Sequence, residues 1–316
     1  MNRMNRDLTV VMYHYVRDLA SSSYPKIKGL DLHLFKEQIR FFKNNYTFIS
    51  INELIEAYES NSDLPNNAIL LTFDDGYKDH YCDVFPVLHD NKIQGCFYPP
   101  AATISDKKVL DVNKIHFLLA AVKNKQIIIS TIFNQLDEHR KEYRLKDNDY
   151  YFSKLGVANR FDSQEVIFIK RILQVGLVQD LREKIVDFLF KKYVTFDEKS
   201  FSEELYMSSE NIKTMIDSGM HFGSHGHNHY WLSSLSKEEQ ESEISKSLNF
   251  LSDMGENVGR WTMCYPYGNY NKDTLDLLDK YDCKAAFTTR VKNANLDQDN
   301  KFEIPRLDTN DFLKKS

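Results

Sequence analysis

The sequence has few cysteines, and they are not grouped. Four occur in 316 residues (Cys82, Cys96, Cys264 and Cys283), and no two of them form a Cys-x-x-Cys pair. Such spacing argues against a structural zinc knuckle and against a framework of disulfides. We therefore expect reduced thiols, most of them buried.

Long apolar runs and an excess of basic charge are also missing. No run approaches the ~20 apolar residues that a membrane-spanning helix needs. Lys and Arg number 41 against 46 Asp and Glu, which leaves a net charge of −5 and no basic footprint for nucleic acid. The first 16 residues contain two arginines but no extended apolar core and no small-residue cleavage site. We therefore expect a cytoplasmic protein without a cleaved signal peptide or a transmembrane segment.

What the sequence does contain is an alternation of short β-like runs with amphipathic helical stretches. A first strand is predicted over 8–16, a helix after a possible N-cap at Asp31, and a helix over 202–219 that ends at Gly219. This alternation predicts an α/β fold with a parallel sheet. About seven such units closing on one another would form a (β/α)7 barrel, with its site at the C-terminal ends of the strands.

One stretch, at about 101–203, does not fit this alternation. It is far longer than a crossover needs, since a whole βαβ unit takes only about 30 residues. Its periodicity indicates several helices and little strand. We expect a single barrel domain over 1–316 with a helical insertion at about 101–203, which borders the mouth of the barrel.

A pair of aspartates follows the predicted strand AILLTF. Asp74 and Asp75 precede Gly76, at the end of that strand. Adjacent carboxylates at a strand end point in different directions, so one can bind a metal while the other accepts a proton. The alternative is a helix N-cap followed by an ordinary Asp-Gly turn.

Histidines are concentrated in one short segment. Four of the ten lie between His221 and His229. If a helical turn begins here, His225 and His229 project on the same side, and two imidazoles plus one carboxylate form a recurring catalytic zinc site. We expect His227 to point elsewhere and His221 to be packed or bonded to backbone.

The third cluster is Tyr265-Pro266-Tyr267-Gly268, at the end of the predicted strand segment RWTMCYPYG. Proline and glycine there indicate a tight turn that can present a backbone N–H toward a site. Such turns are common, so this motif alone is weak evidence for a functional site.

Taken in order, TFDDG, then SHGHNH followed by LSSLSKEE, then YPYGNYN resemble the polysaccharide deacetylases (NodB-homology proteins, carbohydrate esterase family four). The resemblance covers about 8–100 and 203–309. It implies a distorted (β/α)7 barrel, with Asp74 as catalytic base. It also implies a metal triad of Asp75, His225 and His229 for Zn²⁺ or another divalent ion, and a backbone N–H of Tyr267 for the oxyanion.

The sequence departs from the commonest family pattern at three points. Cys264 stands where an arginine usually precedes the third motif, the Asp-x-x-Asp-Trp motif is missing, and no histidine follows His229. In a circularly permuted branch, similar to poly-β-1,6-N-acetylglucosamine deacetylases, the acid histidine lies on the first strand. His14, between Tyr13 and Tyr15, matches that position. Arg306 is our candidate to orient Asp74. The alternative is that Arg306 forms a salt bridge at the protein surface.

The implied function is metal-dependent removal of N-acetyl groups from an amino-sugar-containing glycan or glycoconjugate, with Asp74 as base and His14 as acid. The alternatives are a deformylase or deacetylase of a lipid- or nucleotide-linked sugar, and a degenerate, non-catalytic sugar-binding barrel. The expected partner is an N-acetylated sugar or glycan. We do not expect the protein to bind nucleic acid.

Overall fold

The computed structural model describes residues 5–158 and 162–312. They form two compact units. The first unit comprises residues 5–18, 29–108 and 202–312, and the second comprises residues 19–28, 109–158 and 162–201. The single-domain organisation over 1–316 and the insertion at about 101–203 stay predictions.

All strands of the described residues belong to the first unit. In chain order they are β1 Asp7–Tyr13, β2 Val16–Arg17, β3 Leu30–Asp31, β4 Thr47–Phe48, β5 Ala68–Asp74, β6 Gly95–Tyr98, β7 His221–Phe222, β8 Thr262–Cys264, β9 Ala285–Phe287, β10 Ala294–Asn295 and β11 Leu307–Asp308.

Helices occur in both units. In chain order they are α1 Leu32–Asn45, α2 Ile51–Ser60, α3 Phe85–Asp90, α4 Ala101–Ser105, α5 Asp111–Ala121, α6 Lys125–His139, α7 Asn148–Leu155, α8 Gln164–Arg171, α9 Gln179–Tyr193, α10 Glu198–Leu205, α11 Ser209–Asp217, α12 Lys237–Met254 and α13 Lys272–Lys280. Among the helices of the described residues, none combines the length and the apolar character needed to cross a membrane.

Parallel strands form the centre of the first unit, which confirms the predicted α/β class. The order β1-β5-β6-β7 is parallel throughout, and β5 is buried along its whole length, as expected for a parallel strand covered on both faces. β11 lies parallel to β1 on its other side. Isolated β-bridges extend this pairing at two places. Ser224, after β7, pairs with Met263 of β8, and Phe287 of β9 pairs with Ile304, in the segment before β11. The strand ends that carry the predicted site residues are therefore neighbours.

Aromatic side chains fill the core beneath this edge of the sheet. Tyr13, Phe73 and Phe97 come from three neighbouring strands, and their rings stack with centroids 4.9 and 4.8 Å apart. Each such pair contributes roughly 0.5–1.5 kcal/mol beyond its buried area. The stack therefore helps to fix the strands that end at the site.

The first strand ends earlier than predicted. It was expected to reach Val16, but β1 stops at Tyr13. Beyond that residue the chain leaves β5 and pairs with β3, where the Leu30 N–H donates to the Tyr15 carbonyl at 2.9 Å. His14 thus lies in the break between two strands.

The predicted helix over 202–219 is also divided. α10 ends at Leu205, and α11 begins only after Ser208, whose hydroxyl accepts from the Asn211 N–H in a capping box. Between them the chain is held by the Met207 N–H, which donates to the Gly76 carbonyl at 3.0 Å. Tertiary pairing with the turn after β5 therefore overrides a continuous helical pattern.

The predicted N-cap at Asp31 is confirmed, because its carboxylate accepts from the His33 N–H.

The described part of the second unit is helical, as predicted for this stretch. Its apolar core is built mainly from α5, α6, α8 and α9. Lys114 is buried in this unit and donates to Asp187 at 2.5 Å, while its ammonium lies 2.9 Å from Glu198. The two carboxylates compensate a charge that would otherwise be costly to bury.

Candidate active site

The two aspartates leave β5 in different directions because the chain turns sharply between them. Asp74 is the last strand residue, whereas Asp75 and Gly76 have positive φ values of 73° and 70°. A side chain on Gly76 would place its Cβ 2.6 Å from the Cβ of Pro99, so this position requires glycine. The turn is therefore part of the construction of the site, and Asp74 and Asp75 are free to contact different partners.

The histidine segment brings its two outer imidazoles together without forming a helix. Residues 225–230 have no helical turn, so the helical spacing considered for His225 and His229 does not apply here. Gly226 and His229 instead adopt positive φ values of 72° and 60°, which curl the loop. The rings of His225 and His229 end with their centroids 4.7 Å apart.

Asp75 faces both of these imidazoles. Its Oδ1 lies 3.6 Å from Nε2 of His225 and 3.5 Å from Nε2 of His229. That oxygen is buried and has no hydrogen-bond partner among the described residues, whereas Oδ2 accepts from the Tyr77 hydroxyl at 2.5 Å. The three potential ligand atoms lie within 4.8 Å of one another. A buried carboxylate oxygen without a donor, facing two imidazole nitrogens, fits a divalent cation.

The surroundings of these groups set their protonation states. Nδ1 of His225 donates to the Cys264 carbonyl at 2.6 Å, so in the neutral ring Nε2 carries the lone pair that a metal would use. Burial lowers the pKa of His225, but the carboxylates of Asp75 and Asp74 raise it by more, so a cation at Nε2 would displace a proton. Burial, reinforced by nearby His225, lowers the pKa of His229 to about 3, which keeps it neutral. Burial raises the pKa of Asp75, but the neighbouring imidazoles lower it by more, so the group is ionised.

Asp74 is held by a buried arginine. Arg306 donates to its Oδ1 at 2.9 Å and to its Oδ2 at 2.8 Å, and the arginine is fully buried. The alternative that Arg306 forms a salt bridge at the protein surface is therefore wrong. Burial by itself raises the pKa of Asp74, but the guanidinium lowers it to about 2. Cys264, which stands in place of the family arginine, accepts from this same guanidinium at 3.1 Å.

His14 also lies near the carboxylate of Asp74. Its Nε2 is 4.0 Å from Oδ2 of Asp74, and its side chain is 43% exposed. The His14 carbonyl accepts from Nε2 of His80 at 2.8 Å. Burial lowers the pKa of His80 to about 4, so His80 is a neutral donor. The imidazole of His14 is thus near Asp74 and accessible, while its backbone is held.

The third motif borders the histidine loop. Tyr267 has a positive φ of 58° within the turn Pro266–Gly268. Its ring centroid is 4.6 Å from that of His229, and the ring also stacks on Trp231 with centroids 4.4 Å apart. Six of the seven predicted site residues therefore lie at or after the C-terminal ends of strands, whereas Arg306 directly precedes β11.

The two other histidines of the segment lie apart from the triad. Nε2 of His227 is 3.4 Å from a carboxylate oxygen of Asp106. His221 is buried on β7, which agrees with the expectation that it is packed, and its Nε2 bonds to the Thr262 hydroxyl rather than to backbone. Neither belongs to the three-residue cluster.

Sequence reasoning missed several residues of the site. Tyr77 directly follows the Asp-Asp-Gly string, so its position offered a signal for its bond to Asp75. Glu243 offered none, because in sequence it is one acidic residue among several on α12. In the structure its carboxylate bonds to the histidine loop. The backbone carbonyl of Cys264 carries no sequence signal at all.

Part of the chain is similar in sequence to known deacetylases. The family model described as "Polysaccharide deacetylase" matches residues 176–287, which include both metal-site histidines and the third motif. A poly-β-1,6-N-acetyl-D-glucosamine N-deacetylase of Escherichia coli strain K12 is 31% identical over 103 residues, 31% of this chain. The match spans only 15% of the length of that relative.

Solved structures share the fold over nearly the whole chain. A Streptococcus pyogenes deacetylase, PplD, in complex with acetate, aligns with a TM-score of 0.57 and 16% identity, covering 96% of this chain and 92% of that one. IcaB from Ammonifex degensii aligns with a TM-score of 0.56 and 19% identity over the same shares. Residues 176–287 of the chain therefore match the polysaccharide deacetylase family, and part of the chain is similar in sequence to a poly-β-1,6-N-acetyl-D-glucosamine N-deacetylase.

Proposed function

We propose that the protein is a metal-dependent hydrolase that removes N-acetyl groups from an amino-sugar-containing glycan or glycoconjugate. The observation that carries this proposal is the buried, partnerless Oδ1 of Asp75, which faces His225 and His229 beside the Asp74–Arg306 pair. Such a cluster would be costly to bury without a cation. The acetyl-sugar substrate is suggested by the name of the Escherichia coli relative.

Asp75, His225 and His229 would hold Zn²⁺ or another divalent ion. Such an ion supplies Lewis acidity, which polarises an acyl carbonyl and makes water more acidic. The Cys264 carbonyl and the Tyr77 hydroxyl would keep two of the ligands oriented.

Asp74 would act as the base. Its carboxylate is ionised at neutral pH and held in one orientation by the two donors of Arg306, so it can accept a proton from the attacking water. The water oxygen bonds to the acetyl carbon as that proton leaves. The oxyanion would receive a hydrogen bond from the backbone N–H of Tyr267, a kind of contact often worth about 3 kcal/mol.

His14 would act as the acid. It is accessible and close to Asp74, so base and acid can flank one scissile amide. As the C–N bond breaks, the imidazolium gives its proton to the leaving amine, and acetate is the second product. Histidine suits this role because its pKa is near neutral.

The reaction can be tested by incubating the zinc-loaded protein with β-1,6- and β-1,4-linked N-acetylglucosamine oligomers and measuring acetate. We expect acetate release that Asp74→Asn abolishes. Formate released from N-formyl sugars, with no acetate from N-acetyl sugars, would favour a deformylase. Activity restricted to lipid- or nucleotide-linked sugars would favour those substrates. Oligomer binding without any acyl product would identify a non-catalytic sugar-binding barrel.

A further inference from the structure

Glu243 is a buried carboxylate beside the loop that carries two of the proposed metal ligands. It lies on α12, and its side chain is only 4% exposed. Glutamate is almost never buried to this extent without hydrogen-bond or ionic partners, since burying an uncompensated charge is costly. Its partners therefore indicate what the residue does.

All hydrogen bonds between its carboxylate and the residues that the structure describes go to the histidine loop, residues 225–230. Oε2 accepts from the backbone N–H groups of His227 at 3.0 Å and Asn228 at 2.7 Å, and Oε1 accepts from the Asn228 side-chain amide at 2.6 Å. Within residues 5–158 and 162–312, no lysine, arginine or histidine side chain forms an ion pair with it. The carboxylate thus serves as an acceptor for loop amides rather than as half of a salt bridge.

The opposite edge of the same loop is also held. The carbonyls of Gly226 and His227 accept from the N–H groups of Ala101 and Ala102, at 3.2 and 3.0 Å. The peptide groups between the two metal-site histidines are therefore fixed from both sides, by α12 and by the start of α4.

His229 depends on this backbone more than His225 does. Nδ1 of His225 is anchored on the Cys264 carbonyl, whereas Nδ1 of His229 is buried with no hydrogen-bond partner. His229 also has a φ of 60°, an unfavourable conformation that persists only where the surroundings enforce it. The residue immediately before it, Asn228, is held twice by Glu243.

We propose that Glu243 is a positioning residue, which holds the loop in the one conformation that brings His229 to Asp75. This inference rests on the metal site of the proposed function. The proposed role depends on the length of the Glu243 side chain and on its hydrogen bonds, since the carboxylate contacts the backbone of the loop and not the side chains of the proposed metal ligands. Partners of this kind typically affect metal affinity by about 10- to 100-fold.

The test separates position from charge by two opposite substitutions. Glu243→Asp keeps the charge but withdraws the carboxylate by about 1.5 Å, the length of one C–C bond. Glu243→Gln removes the charge, but its amide oxygen can still accept from both backbone N–H groups if the Asn228 amide turns over. Glu238→Gln, on an exposed position of the same helix, is the matched control. The dissociation constant of Zn²⁺ alone is measured by competition with a chromophoric chelator.

We expect Glu243→Asp to weaken Zn²⁺ binding 10- to 100-fold, with Glu243→Gln within 10-fold of wild type and Glu238→Gln within threefold. Wild-type affinity in Glu243→Asp would overturn the positioning role, as would a loss above 10-fold in Glu243→Gln, because both point to simple attraction by charge. Circular dichroism and thermal melting of the metal-free proteins identify any variant that does not fold. If Glu243→Asp is such a variant, the Glu243→Gln result decides.

The outcome can be told apart from failure of the proposed reaction. Wild-type protein that binds Zn²⁺ but releases no acetate contradicts the reaction, while the affinities of the variants still decide the role of Glu243. Wild-type protein that binds no Zn²⁺ overturns both. Equal affinities in all variants, with acetate released, contradict only the role of Glu243.

Discussion

Arg306 donates to both carboxylate oxygens of Asp74, although 232 residues separate the two along the chain. The same guanidinium donates to the Thr288 carbonyl and to the Thr72 hydroxyl, so four different acceptor groups, counting Cys264, hold it in place. This pairing keeps Asp74 ionised and in one orientation inside the protein. The stability of the protein and its turnover should therefore depend on this pair and on the residues that contact it.

Replacing Arg306 should damage both stability and turnover. Arg306→Gln leaves Asp74 as an uncompensated buried charge, so we expect a loss of about 3–5 kcal/mol in the free energy of unfolding. Arg306→Lys keeps the charge but not the paired donors, and should lower kcat while retaining more stability. Urea denaturation and acetate release measure the two effects. Arg290→Lys, at a half-exposed arginine paired with Asp299, is the control and should change neither.

Asp74→Asn should keep the metal and lose turnover. Asparagine has a similar shape but cannot accept the proton, and a positioned base typically contributes about 10²–10⁴ in rate. Metal content by mass spectrometry and acetate release at saturating Zn²⁺ provide the two readouts. Near-normal acetate release would refute the assignment of Asp74 as base.

Removing either metal-site imidazole should abolish stoichiometric metal binding. We expect His225→Ala and His229→Ala to retain far less than one Zn²⁺ per chain, since three protein ligands are the usual minimum of a catalytic zinc site. His227→Ala, in the same loop but outside the cluster, is the matched control and should keep one ion. Full stoichiometry in both ligand variants would place the metal elsewhere.

Substitution of His14 should affect chemistry rather than metal binding. We expect His14→Gln to lower kcat by about 10²–10⁴, and most for substrates with the poorest leaving amines, because these need proton donation most. His33→Gln, at an exposed histidine, is the control and should behave as wild type. The assignment fails if His14→Gln turns over all substrates normally.

His80 should make stability depend on pH. Burial lowers its pKa to about 4 from a usual value near 6.5, so the folded state binds its proton less readily than the unfolded state. The contribution of the neutral ring is fully present above pH 6.5 and is lost as the pH falls toward 4. It amounts to about 3 kcal/mol, at about 1.4 kcal/mol per pKa unit.

The comparison that isolates this contribution is wild type against His80→Gln, which cannot titrate. Free energies of unfolding measured at pH 7.5 and 4.5 should fall more steeply in wild type. His89→Gln, at an exposed histidine, should keep the wild-type slope. Parallel pH dependence in wild type and His80→Gln would show that the buried ring is not what acid destabilises.

Local sequence was sufficient for the features whose chemistry is local. The alternation of strands and helices predicts the parallel α/β class, and the N-cap at Asp31 follows from its own side chain. A metal site made of His225, His229 and one aspartate could also be proposed from residue type and strand-end placement, since both bring such groups to one edge of a parallel sheet. The resemblance to the deacetylases implied that this aspartate is Asp75, which lies beside both imidazoles in the structure.

Tertiary structure decided the rest, because the deciding contacts join distant segments. The division of α10 from α11 follows from pairing with the turn after β5, which no helical periodicity encodes. The two imidazoles meet through a curled loop held by Glu243, not through the helical turn that their spacing suggests. Arg306 could be a surface or a buried residue by sequence, and only the packing of β11 beside β1 places it against Asp74. Sequence therefore determined which groups are available for chemistry, and long-range packing determined which of them are buried together, where their charges must compensate one another.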